Sequence, residues 1–187
     1  MKKQRQVRFI LAFSIALCCV LASILPAQAV TFTVNSTVDA VDANPGNGIC
    51  ATSGGVCTLR AAIMEANHTL GGGATIILPA GTYTLSIVTF SLTDDETTGD
   101  LDITASMSII GAGSSITVID DNGSVVGIDG VFEIHSEAIV NISGVTIRNG
   151  NVRSNFRGGV GGGILNDSTL TLTNSTVSGN SAPNGGA

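Results

Sequence analysis

Tryptophan is missing from this 187-residue sequence, tyrosine occurs once, and no lysine follows Lys3. With aromatics at 4%, a groove that stacks sugars on aromatic rings has almost nothing to be built from. Charge is one-sided as well. Lys2, Lys3, Arg5 and Arg8 supply half of the eight basic residues, all at the extreme N-terminus. From Val30 onward only Arg60, Arg148, Arg153 and Arg157 stand against 14 acids, a balance of −10. Such a surface repels nucleic acid and anionic membrane and draws cations.

The four N-terminal basic residues precede an apolar run, Phe9 to Leu25, and "AQA" at 27–29 places small residues before Val30. This pattern predicts a secretory signal peptide over 1–29 rather than an uncleaved anchor. The mature chain is then expected outside the cytoplasm, with no insertion into a membrane. Cys18 and Cys19 leave with the leader, so two cysteines remain, Cys50 and Cys57. In an oxidising compartment the expected outcome is a local disulfide, with a metal pair helped by His68 as the competing reading.

What the chain has in plenty is glycine, 24 residues, far above the roughly 7% of average usage. Ser, Thr and Asn fill many of the remaining polar positions. Thr favours strands whereas Gly, Asn and Ser make corners, so the mixture predicts many short strands. They also repeat. "VFEIHSEAIVNISGVTIRNG" (131–150) matches "GGGILNDSTLTLTNSTVSGN" (161–180) in one frame. That frame sets Ile134 over Ile164, Val140 over Leu170, Ile142 over Leu172 and Ile147 over Val177. The expected fold is all-β, a right-handed parallel β-helix whose rungs stack their apolar positions; a two-sheet sandwich is the competing architecture.

One helix is expected. Thr58 is its N-cap, and Leu59, Ala62, Ile63 and Ala66 follow at i, i+3, i+4 and i+7 on one apolar face. Such a helix before the first rung would cover the open end of the solenoid. The resulting division is a signal peptide at 1–29, a strand-and-helix cap module at 30–73, and rungs at 74–187. Because "SAPNGGA" reads like the start of another rung, the rungs are expected to continue beyond Ala187.

The stretch "CTLRAAIMEAN" (57–67), with "FTVNSTVDAVDANPG" upstream and "IILPAGTY" downstream, resembles the Cys-Ser-Leu-Arg-Glu-Ala module of bacterial secreted proteins. The likeness runs from about Val30 to Thr84. "GDLDIT", "GGGILN" and "LTLTNSTVSGN" resemble the pectin-lyase-like β-helix that usually follows it. "GGGI" and "NGGA" are more distantly similar to polymorphic outer-membrane protein passengers. The resemblance implies a secreted or surface-displayed β-helix and brings no reaction with it. Ala61 stands where the family pattern has Glu, which removes one acidic partner for Arg60.

Chemistry concentrates in "TDDETTGDLD". Asp94, Asp95, Glu96, Asp100 and Asp102 could give Ca²⁺ its oxygen ligands, with Asp100 and Asp102 pointing outward together; the alternative is a solvated acidic loop. Asp120 and Asp121 precede Asn122-Gly123 and are expected to make an Asx turn rather than an acid–base pair. His135 should face outward near Glu133 and Glu137. An arginine base beside metal-bound carboxylates would pair Arg148 with Asp102. No Ser-His-Asp or Cys-His pattern occurs, and "GGVGGG" lacks the Lys and helix of a phosphate loop. The expected function is non-catalytic display or adhesion, with surface glycans or proteins as partners. The alternative is a Ca²⁺-dependent polysaccharide lyase or a glycoside hydrolase.

Overall fold

The computed structural model describes residues 30–69, 73–88, 95–123, 130–153 and 159–185. The signal peptide expected over 1–29, Asp94 and Arg157 lie outside the described residues. The described residues form twelve short strands and one helix, with every strand pairing parallel. In sheet I, β1 (Thr31–Thr33), β2 (Ala74–Leu78), β5 (Met107–Gly111), β8 (Ile139–Ser143) and β11 (Thr169–Thr173) lie in that order. Sheet II runs β3 (Gly81–Thr84), β6 (Thr117–Asp120), β9 (Thr146–Arg148) and β12 (Thr176–Ser178). Sheet III runs β4 (Leu101–Ile103), β7 (Phe132–Ile134) and β10 (Ile164–Asn166). From β2 onward the chain visits the sheets in the fixed order I, II, III.

Register explains why the apolar residues recur. Ile76, Ile109, Ile142 and Leu172 face one another along sheet I, and so do Ala74, Met107, Val140 and Leu170. Tyr83, Ile119, Ile147 and Val177 make the ladder of sheet II. Leu101, Phe132 and Ile164 do the same in sheet III. Their buried members form one continuous core, against which Ile164, Leu170 and Val177 pack partly buried. Short strands suffice because parallel pairing buries every second side chain against the rung before and after it. Glycine permits the tight approaches between rungs. A Cβ on Gly150 would overlap the Gly162 carbonyl oxygen, which gives the glycine run before β10 a packing reason.

Three of the four expected repeat matches hold, and one is corrected. Val140, Ile142 and Ile147 keep the thirty-residue offset to Leu170, Leu172 and Val177. Ile164 pairs with Phe132 instead, and Ile134 faces Asn166. The corner between β7 and β8 holds residues 135–138, whereas that between β10 and β11 holds only 167–168, so sheet III slips by two. The first strand is short: it stops at Thr33 and leaves Val38 63% exposed.

Helix α1 (Leu59–Asn67) begins where expected, with the Thr58 hydroxyl accepting from Ala61 N at 3.1 Å. Leu59, Ala62, Ile63 and Ala66 join the core, but the helix is not one-faced. Every residue from Leu59 to Ala66 is buried, Arg60 and Glu65 included. The segments on the far side account for this, because Glu65 accepts from Gly46 N at 3.0 Å and Gly48 N at 2.9 Å. Both glycines have positive φ (86° and 80°), a backbone that side chains disfavour. Cys50 and Cys57 are joined as a disulfide across seven positions of this same region. By loop entropy such a small ring is worth about 2 to 3 kcal/mol.

The helix packs against β2 and β4. β4 is the edge of sheet III, and its outer backbone is met by a side chain. Asn67 Nδ2 donates to Asp102 O at 2.8 Å, and Asn67 Oδ1 accepts from Thr104 N at 3.0 Å. One amide thus substitutes for a missing strand, which satisfies the edge and blocks its pairing with another chain. Asn67→Ala should lower unfolding stability by about 1 to 3 kcal/mol, the cost of orphaned backbone groups. Urea titration followed by circular dichroism measures it. A loss below about 0.5 kcal/mol would show that water serves this edge equally well.

Candidate functional site

Arg60 is the largest fully buried side chain, 1% exposed. Its Nε donates to Asp39 Oδ1 at 2.7 Å, and its Nη atoms donate to Gly99 O at 2.7 Å and Asp100 O at 2.9 Å. Asp39 Oδ2 in turn accepts from Ser86 N at 2.7 Å and Ile87 N at 2.9 Å. Arg60 therefore has a carboxylate partner although position 61 is Ala. Asp39, twenty-one positions upstream, supplies the carboxylate. The pair joins four chain segments and has no open side for a ligand, so its work is structural.

The acidic stretch does not gather into one cage among the described residues. Asp95 accepts from Thr97 N at 2.9 Å and from the Thr97 hydroxyl, and these bonds hold its carboxyl below the ordinary range. Glu96 accepts from Asn67 Nδ2 at 3.0 Å and lies 3.8 Å from His68 Nδ1. Asp100 and Asp102 were expected to point into solvent but are 2% and 4% exposed. α1 meets β4 along its backbone edge, and the Asp102 side chain lies against the neighbouring strand. Asp102 turns to His135, whose Nε2 lies 2.9 Å from Asp102 Oδ1.

His135 stands beside two carboxylates rather than one. Its Nδ1 lies 3.9 Å from Glu133 Oε1, and ligand atoms of Asp102, Glu133 and His135 all fall within 4.8 Å of one another. Glu137 is not in this group; it sits exposed in the following turn with φ of 75°. Arg148 does not reach Asp102 either. Its Nε donates to Asp120 Oδ2 at 2.7 Å, so the pairing that a lyase-type base required is replaced by a structural one. Strand register decides this, since Asp120 and Arg148 are direct partners across β6 and β9.

Asp120 makes the Asx turn expected of it, accepting from Asn122 N at 2.7 Å, and also takes Asn149 Nδ2 at 2.8 Å. Burial pushes its pKa up, but the bonds from Asn149, Asn122 and Arg148 outweigh burial and hold it below 3.8. A separate cleft of about 420 Å³ is lined by Val30, Gly46–Gly48, Glu65, His68 and Thr69. Its one buried carboxylate, Glu65, is engaged by the backbone of its own wall. Comparison with protein-family models, curated proteins and solved structures returns no match.

Glu133 lies beside His135 as expected, two residues apart on a strand, whereas the Asp39 contact with Arg60 is one that sequence reasoning did not assign. Asp39→Ala should cost about 3 to 5 kcal/mol, because it strands a buried guanidinium; equilibrium unfolding checks this, and a cost under about 1 kcal/mol would refute it. For Asp120 the folded pKa is lowered, so its contribution is present above the unfolded value of about 3.9 and is lost as pH falls through the folded one. Asp120→Asn should therefore lower Tm at pH 7 and change little near pH 2. Equal losses at both pH values would show that the carboxylate's charge is irrelevant.

Proposed function

We propose that the protein is an exported right-handed parallel β-helix that displays a polar binding face at the cell surface, without catalysis of its own. The cyclic order of sheets I, II and III, all parallel, supports the solenoid. The disulfide is compatible with an extracellular setting. No helix among the described residues is long and apolar enough to cross a membrane.

The observation that carries the binding role is the outer face of sheet I. Thr31, Thr75, Ser108, Asn141 and Thr171 stand in register across five strands, exposed or half-buried. A row of hydroxyl and amide groups at the strand repeat of about 4.8 Å offers matched donors and acceptors to a hydroxyl-rich glycan chain. Many weak contacts along one line add up, which suits adhesion better than turnover. The carbohydrate-active alternative draws no support from Arg148, which is committed to Asp120.

The test combines location and binding. Protease added to intact producing cells should digest the protein, and purified protein should be retained on immobilised extracellular polysaccharide. Asn141→Leu together with Thr171→Val should weaken retention about tenfold, an order-of-magnitude figure for a few lost hydrogen bonds, while leaving Tm unchanged. Protection from protease in intact cells, or retention indifferent to the double substitution, would sink the reading.

A further inference from the structure

We propose that Asp102, Glu133 and His135 form a site for a divalent first-row transition ion, of the Zn²⁺ or Mn²⁺ kind, bridging β4 and β7. The placement follows from register. Asp102 and Glu133 are direct partners in the parallel pair, so their side chains leave the same face of sheet III. His135 lies two residues beyond Glu133 and therefore returns to that face. Its backbone still follows the ladder, with His135 N donating to Ile103 O at 3.0 Å.

The donor set selects the ion. Six to eight oxygens satisfy Ca²⁺, whereas imidazole nitrogen with carboxylates suits first-row transition ions. Three protein ligands leave further positions for water or a ligand oxygen, the arrangement of an open zinc site. His135 Nε2 and Asp102 Oδ1 are 2.9 Å apart and all three ligand atoms lie within 4.8 Å, against the roughly 3.3 Å between ligands of a tetrahedral ion, so closure needs only small side-chain rotations. The ion would enter between His135 Nε2 and Asp102 Oδ1, which now lie 2.9 Å apart.

Position in the repeat marks these residues as unusual. Glu133 faces Leu165 on its other side, so the column of polar side chains turns apolar one rung later. Both carboxylates are buried, at 4% and 9% exposure, and they leave the same face as register partners. The imidazole is 40% exposed, which gives an ion a path in from solvent.

Zinc titration calorimetry on protein purified with its disulfide intact decides the matter. One Zn²⁺ should bind, raise Tm, and be lost in His135→Gln. That variant should unfold like the parent in EDTA, since the ring is half in solvent. Asp102→Asn should lose binding as well, whereas His68→Ala, which removes the other histidine beside an acid, should keep it. Absence of saturable Zn²⁺ binding overturns the site. Binding that survives His135→Gln, or that disappears in His68→Ala, overturns it equally. Ca²⁺ bound at these residues in preference to Zn²⁺ would overturn the choice of ion.

Discussion

A parallel sheet that starts inside a chain has a first edge, and that edge must be closed by something other than a strand. In this protein the closure of sheet III depends on the buried Arg60–Asp39 pair. The guanidinium takes the carbonyls of Gly99 and Asp100 just before β4, while Asp39 takes two backbone amides at Ser86 and Ile87. Asn67 finishes the same edge from the last position of α1. Burying a charge pair gains little unless its remaining donors and acceptors are satisfied. Here four further polar contacts satisfy them, two on Gly99 and Asp100 and two on Ser86 and Ile87, and so pin two further stretches of chain.

With the edge closed, later rungs need only repeat. Each adds three short strands whose inward residues continue ladders already begun, and each is templated by the one before it. The economy shows in composition. Thr, Ser and Asn can occupy the outward positions because parallel neighbours, not the residues themselves, satisfy the backbone. Exposure rises toward the last strands, where Leu172 is 42% exposed and β11 has no described neighbour on its far side.

Strand content, the helix with its Thr58 cap and the last pairings of sheets I and II were legible because each rests on local periodicity or on the one thirty-residue offset, and the Cys50–Cys57 bond because two cysteines remain after the leader. Sheet III was not. Its corner loses two residues between successive rungs, and a single alignment frame has no means of representing that. Burial of Asp100 and Asp102 was hidden for a different reason. An alternating pattern names two faces but not what lies against them, and Asp102 meets a histidine thirty-three positions later. Asp39 escaped because partners for Arg60 were sought within the helix, whereas a buried guanidinium is free to recruit any segment that tertiary packing brings near.

Corner length, more than any strand residue, decides which polar groups meet. Asp102 and Glu133 are thirty-one positions apart, an odd offset, yet they share a face because they are register partners. Had the thirty-residue frame of the later rungs governed β4 and β7, Asp102 would face Phe132, and Glu133 would point to the opposite face from it. A one-residue slip reverses every side chain of a strand. The same two strands could then carry neither the carboxylate pair nor its histidine on one face. Between short parallel strands the corners are the positions most open to insertion and deletion. A site made across rungs is therefore gained or lost by changing loop length, with every ligand residue left as it was.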